Sequence, residues 1–171
     1  MLTGKKIVLG VSGGIAAYKM ANVASMLSKL HADIHVVMTE NATHFITPET
    51  FEVLTGNHCY TDTFDRCMEL HVPHIALGTQ ADAILIAPAS ADVVGKIANG
   101  IADDMLTTCV LPATCPVMLA PSMNVHMYEN PIVQDNMKKL ASYGYEIIEA
   151  DEGYLACLLY TSPSPRDISG S

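Results

Sequence analysis

The apolar residues of this chain follow two rhythms in alternation. Short, nearly unbroken apolar runs occur at 6–11, 34–38, 83–87, 116–120 and 145–148, the pattern of strands buried on both faces. Between them, apolar positions recur every three or four residues. Over 15–30 they are Ala17, Met20, Val23, Ala24, Leu27 and Leu30, which predicts a helix. Further helices are predicted over 48–54, with Thr47 as N-cap and Pro48 in the first position, and over 90–98, 103–110 and 132–143. Pro88 is expected to stop the third strand and Gly144 the last helix, while 56–69 carries no clear period. Strand alternating with helix predicts an α/β fold, a parallel sheet with helices on both faces. Ligands of such sheets bind beyond the carboxyl ends of the strands. The loops at 10–14, 39–41, 88–91 and 121–124 are therefore expected to converge at one edge.

Composition narrows the class. The chain has 171 residues, half of them apolar, which suits one domain with one substantial core. Its 9 Lys and Arg stand against 18 Asp and Glu, a net charge of −9 that argues against nucleic acid and against an anionic membrane surface. No apolar run reaches the roughly 20 residues needed to span a bilayer. The N-terminal segment reads as a first strand rather than a signal peptide. The cysteines, 5 in number, form no C-x-x-C pair, so a reducing, cytoplasmic setting is expected rather than a disulfide framework. Residues 158–171 turn abruptly to Ser and Pro and resemble the translation of a sequencing adapter. The expected domain is 1–157, with 158–171 a non-native tail or, alternatively, a natural disordered one.

Several loops carry candidate chemistry, each with a plainer structural reading beside it. Gly10-Val-Ser-Gly-Gly-Ile15 joins a strand to a helix, where bare backbone N–H groups suit a phosphate, or where glycines simply make a tight turn. It matches neither G-x-G-x-x-G nor a Walker A loop. Pro88-Ala-Ser-Ala91 offers small side chains for close approach of a ring or phosphate, while Ser90 also suits an N-cap. Asp103 and Asp104 suit a solvated first helical turn. Asn124 can bind a carboxylate or amide, or can start a short helix toward Tyr128. Cys67, His71 and His74 have a metal-like spacing, but Pro73 interrupts the helix that would align them, and no metal is expected. Cys157 is either a buried inert thiol or a reactive one on a glycine-bearing loop.

Taken in order, seven segments resemble the flavin-containing cysteine decarboxylases, and among them most closely the phosphopantothenoylcysteine decarboxylase branch. They are Ser-Gly-Gly-Ile-Ala-Ala-Tyr-Lys19, Thr39-Glu-Asn-Ala-Thr-His-Phe45, His74-Ile, Pro88-Ala-Ser-Ala91, Gly-Ile-Ala-Asp-Asp104, Pro121-Ser-Met-Asn124 and Leu-Ala-Cys157. The resemblance covers residues 4–157. It implies a Rossmann-like flavoprotein fold, bound FMN, and a homotrimer or trimer-based dodecamer. It also implies decarboxylation of 4′-phospho-N-pantothenoylcysteine to 4′-phosphopantetheine, often with a fused or separate phosphopantothenate–cysteine ligase domain. In the implied mechanism FMN oxidises the cysteinyl CH₂–SH to a thioaldehyde, whose C=S bond accepts electrons as carbon dioxide leaves. Reduced flavin then returns the hydride to the ene-thiolate, with no net redox change.

By the same resemblance His74 is the acid/base, Asn124 with Met123 binds the substrate, and Cys157 protonates the ene-thiolate. Ser12 and Gly13 hold the FMN phosphate region, and Thr39, Phe45, Pro88, Ala89, Ser90, Ala91 and Ser122 contact the flavin. Lys96, Asp103 and Asp104 lie in family segments without an assigned role. Two departures stand out: Leu158 replaces the family's Gly after the cysteine, where a glycine-rich flap is expected, and Ser122 replaces the commoner Ala. The rival readings are a peptidyl-cysteine oxidative decarboxylase, which Leu-Ala-Cys157 disfavours, and a non-catalytic flavin-binding regulatory subunit, whose acidic tail is missing. A flavin prenyltransferase and a phosphate-binding domain without flavin are more remote.

Overall fold

The computed structural model describes residues 1–65 and 73–149, and the backbone of 151–155 and 158–162. Strand β1 (Lys6–Val11) lies at the centre of a six-stranded parallel sheet. It pairs on one side with β2 (Asp33–Met38), which continues to β3 (Cys59–Tyr60), and on the other with β4 (Ala83–Ala89). Beyond β4 lie β5 (Val117–Pro121) and, later in the chain, the edge strand β7 (Glu146–Ile147). The spatial order β3-β2-β1-β4-β5-β7 reverses direction between β1 and β4. That reversal opens a crevice at the carboxyl ends of these two strands, the usual ligand site of a doubly wound sheet.

Successive side chains of β1 point to opposite faces, and each finds its own core. Leu9 and Val11 join Met20, Val23 and Phe51, from the helices α1 (Met20–Lys29) and α2 (Pro48–Thr55). Val8 joins Ile84, Ile86, Val94, Leu106 and Leu140 beneath α4 (Ala91–Ala98), α5 (Met105–Val110) and α7 (Pro131–Ser142). Gly10 is bare because α5 lies directly on β1: an added Cβ would sit 2.5 Å from Leu106 Cδ1.

The expected strands and helices are present, with instructive differences. The helix predicted over 15–30 opens instead as a 3₁₀ turn, Ile15–Lys19, before α1 begins. Gly14 supplies no capping side chain, and its carbonyl takes the Ala17 N–H, a three-residue step that tightens the first turn. Strand β4 runs through Pro88 to Ala89 rather than stopping before it. Proline costs a strand only its missing N–H, and the Pro88 carbonyl is still paired, accepting from Ser12. Relative to β5 the register shifts between Ile86 and Ala89, a bulge that ends the pairing near the crevice. Thr47 caps α2 by position only, since its hydroxyl meets Thr50 Oγ1 and no backbone N–H.

Other elements lie where no period is visible. The helix α3 (Pro73–Gln80) fits closely on α5, with Gly78 against the Cys109 carbonyl. A second, antiparallel sheet has the order β6-β9-β8, made of β6 (Met123–Asn124), β8 (Asp151–Leu155) and β9 (Leu158–Ser162). The composition boundary at 157 therefore falls between two paired strands, β8 and β9. Cys67, His71 and Cys157 lie outside the described residues, as does the Ser/Pro segment from 163 onward. Among the described residues no helix is long and apolar enough to cross a membrane.

Gly78 offers a direct test of the α3–α5 fit. Alanine would gain about 1 kcal/mol of helix propensity, but its Cβ meets backbone that cannot swing away, an overpacking cost of about 1–3 kcal/mol. Gly78→Ala should therefore lower the urea midpoint; a raised midpoint would show that the two helices have slack between them.

Candidate functional site

Ser12, directly after β1, is fully buried. Its hydroxyl donates to the Pro88 carbonyl at 2.5 Å and accepts the Ser90 N–H at 2.9 Å. One side chain thus pins the loop after β1 to the loop after β4, at the place where the sheet order reverses. Ser122 extends the chain of links, donating its N–H to the Ala89 carbonyl at 3.0 Å. Thr39 does the same from β2, its N–H bonding to the Val11 carbonyl at 3.0 Å. The four expected loops do converge.

Three of these loops, and the 99–104 connection, then end in a helical turn capped by a side chain. Thr39 Oγ1 accepts from Ala42 N ahead of the 3₁₀ turn Glu40–His44. Ser90 Oγ accepts from Val93 N at 3.3 Å and caps α4. Asp104 and Thr107 form a reciprocal capping box on α5. Asn124 Oδ1 accepts from His126 N at 2.9 Å and starts α6 (Val125–Tyr128). The plainer capping readings of Ser90 and Asn124 are therefore present in the structure, and they are compatible with ligand roles. A cap uses one acceptor of Asn124, and the amide also carries the donor Nδ2.

A cleft of about 420 Å³ opens at this edge, with Gly13, Thr39, Asn41, Ser90 and Ala91 among its walls. Gly13 is bare for a steric reason, since an added Cβ would lie 2.5 Å from Asn41 Cβ and 3.0 Å from the Asn41 carbonyl carbon. A second cleft of about 460 Å³ shares Glu40, Asp103 and Asp104 with the first and is bounded by Thr61, Asp62 and Phe64. Sequence reasoning placed Asn41 in a converging loop without singling it out, missed Met127 as a wall residue, and left Lys96, Asp103 and Asp104 without a role. The Asp92–Lys96 spacing of four on one helix was a usable signal for the last group. Met127 carried none.

The remaining sequence candidates among the described residues lie outside the walls of these two clefts. Phe45 closes the 3₁₀ turn after Thr39 and is half exposed. Pro88, Ala89 and Met123 are buried. His74 stands in the first turn of α3, with Nδ1 enclosed and no hydrogen-bond partner among the described residues. A buried ring nitrogen left unpaired costs free energy unless a ligand completes it.

The residues suit a flavin. A phosphate needs unobstructed N–H groups at a helix start, which Gly13 and the first turn of α4 offer, and a flat ring needs small neighbours such as Ser90 and Ala91. Fold and site together define a doubly wound α/β protein with a nucleotide-type crevice at its switch point.

Comparison with known proteins narrows that class. The family described as Flavoprotein matches residues 1–168. The "Coenzyme A biosynthesis bifunctional protein CoaBC" of Bacillus subtilis (strain 168) is 50% identical over 157 residues, covering 92% of this chain and 39% of that protein. A Streptococcus mutans protein named "Probable phosphopantothenoylcysteine decarboxylase" is 44% identical over 155 residues, covering 90% of this chain and 87% of its own length. The crystal structure of the FMN-dependent cysteine decarboxylase SpaF superposes with a TM-score of 0.86 at 34% identity, over 99% of this chain and 95% of that one. This chain belongs to the flavoprotein family, among its flavin-containing cysteine decarboxylases, and its cofactor class is a flavin.

The two adjacent glycines after Ser12 separate cradle from turn. Gly13→Ala should lower flavin uptake by at least about tenfold, because the new methyl meets Asn41. Gly14→Ala should leave it unchanged, since Gly14 is extended and has no atom within 4 Å of an added Cβ. Fluorescence titration of added flavin reads both; equal affinities would remove Gly13 from the site.

Proposed function

We propose that this chain catalyses the FMN-dependent decarboxylation of 4′-phospho-N-pantothenoylcysteine to 4′-phosphopantetheine, a step of coenzyme A biosynthesis. The observation that carries the reading is the cleft pinned open by Ser12 at the β1/β4 switch point, with no room for a side chain at Gly13. The name of the S. mutans relative, matched over 87% of its length, supports the substrate. The likeness to SpaF, an FMN-dependent enzyme, supports FMN as the flavin.

An isolated aliphatic carboxylate cannot lose carbon dioxide readily, because the electrons left behind have nowhere to go. When bound, the flavin supplies a reversible two-electron acceptor that removes this obstacle without net oxidation. The chain does the rest. Backbone N–H groups around Gly13 and Ala91 bind the phosphate end of the cofactor, and Ser12, which takes the Ser90 N–H, fixes their spacing. Thr39, Phe45 and Ser122 flank the flavin ring, while Pro88 and Ala89, being buried, meet it through backbone. Asn124, held by the His126 N–H, orients the substrate carboxylate or amide through Nδ2, over the buried Met123. His74 exchanges a proton at Nδ1, the enclosed ring nitrogen with no partner among the described residues. Cys157 gives a proton to the ene-thiolate in this reading and lies outside the described residues.

The same reading has the chain work as a homotrimer, or as a dodecamer built of trimers, in a reducing cytoplasm. Exposed Phe45, Phe64, Ile75 and Met127 supply apolar surface for contact between copies. The buried thiols of Cys59 and Cys109 are pushed up to about 12 by burial, so they stay protonated and inert. A phosphopantothenate–cysteine ligase domain, fused or separate, is the proposed partner; the chain spans 39% of the bifunctional B. subtilis relative.

The purified protein should be yellow, should release FMN on heating, and should convert phosphopantothenoylcysteine to phosphopantetheine by mass spectrometry. A yellow protein that decarboxylates only a peptidyl C-terminal cysteine would replace this substrate with the rival one. His74→Asn should keep the flavin spectrum and lose carbon dioxide release by about 100-fold or more. Undiminished release would remove His74 from the chemistry.

A further inference from the structure

The cleft beside Gly13 carries more negative charge than a phosphate-bearing ligand should tolerate. Glu40, Asp92, Asp103 and Asp104 stand in its walls, and Lys96 is the one Lys or Arg among the lining residues. The Lys96 ammonium lies 3.0 Å from Asp103 Oδ1, 3.4 Å from Asp92 Oδ2 and 3.6 Å from Asp104 Oδ2. These acids come from two segments. Asp92 is one turn earlier on α4, while Asp103 and Asp104 end the connection from α4 to α5. Asp104 serves twice, its Oδ1 accepting from Thr107 N and Oγ1 at 2.8 Å each and its Oδ2 turned to Lys96. The Lys96 side chain is 22% exposed, whereas those of Asp92 and Asp103, which also line the cleft, are more than half exposed. The Asp103 hydrogen bond raises the ammonium's pKa, so the charge persists at neutral pH.

We propose that Lys96 is the charge-compensating residue of this cleft. Its ammonium gathers Asp92, Asp103 and Asp104 into one cluster and so lets a phosphate settle against the first turn of α4. The inference rests on the flavin reading above. Without Lys96 the charged groups of the wall would all be negative, and the N–H groups of the first turn of α4, from Ala91 onward, would compete with unbalanced carboxylates for control of the phosphate. A purely mechanical role, tying the 99–104 connection to α4, makes a different prediction. It would affect any ligand of the cleft alike, charged or not.

The test compares FMN with riboflavin, which shares the ring and lacks the phosphate. Both are titrated by fluorescence quenching into the full chain at low salt, with thermal melting of each flavin-free variant alongside. Lys96→Met should weaken FMN about tenfold and riboflavin by less than about twofold, and added salt should narrow the FMN difference. Lys96→Arg keeps the charge and should stay near wild type. Adding Asp103→Asn to Lys96→Met should recover most of the loss. Asp103→Asn alone, which leaves Lys96 in place, should tighten FMN by about threefold even if Lys96→Met folds poorly. Equal losses for the two flavins, or no loss for either, would overturn the proposal while leaving the flavin reading intact. A wild-type chain that takes up neither flavin would overturn that reading first, and the proposal with it.

Discussion

The arrangement depends on one buried hydroxyl. Ser12 joins the carboxyl ends of β1 and β4 by donating to one backbone carbonyl and accepting from one backbone N–H. The Pro88 carbonyl also takes the Ser12 N–H at 3.3 Å, while the Ser90 N–H is paired by the Ser12 hydroxyl. A buried unpaired backbone group costs about 1–3 kcal/mol, so the geometry at the switch point is set by a requirement of folding. The same bonds set the spacing of the backbone at the edge of the cleft. Stability and binding geometry therefore have a common origin at this residue.

The helix caps extend this logic around the edge of the sheet. Thr39, Ser90, Asp104 and Asn124 each close a helical turn with a side-chain oxygen, and each lies at or just after a loop on the ligand side. Capping orients the first turn, and the first turn carries the unpaired N–H groups and the positive end of the helix dipole. A cap and a ligand contact are thus two uses of one position. The electrostatic balance is finer. Four carboxylates and one ammonium surround the first cleft, and the ammonium is placed where it meets three of the four.

Much of the fold was legible because a parallel sheet covered on both faces writes itself as unbroken apolar runs. The runs at 6–11 and 34–38 became β1 and β2 almost residue for residue. Elements too short to show a period stayed hidden, β3 and β6 with two residues each; the four-residue α6 was legible only through Asn124 as its cap. The helix α3 is hard to see because its Gly78 and Thr79 dilute the apolar pattern; its partner α5, not its own periodicity, explains the glycine. Pro88 misled for a related reason, since the strand continues where a neighbouring side chain pairs the carbonyl that remains.

The sequence by itself determined the order of strands and helices, the loops that carry chemistry and the family to which those loops belong. These are local properties: apolar period, glycine and proline placement, and short motifs. The tertiary structure decided which of the candidates share a cleft. It brought Gly13 against Asn41 and Lys96 against Asp103, and it enclosed His74 Nδ1 without a partner among the described residues. Those outcomes depend on sheet order and helix packing, which join residues far apart in the chain and leave no period in the sequence to read.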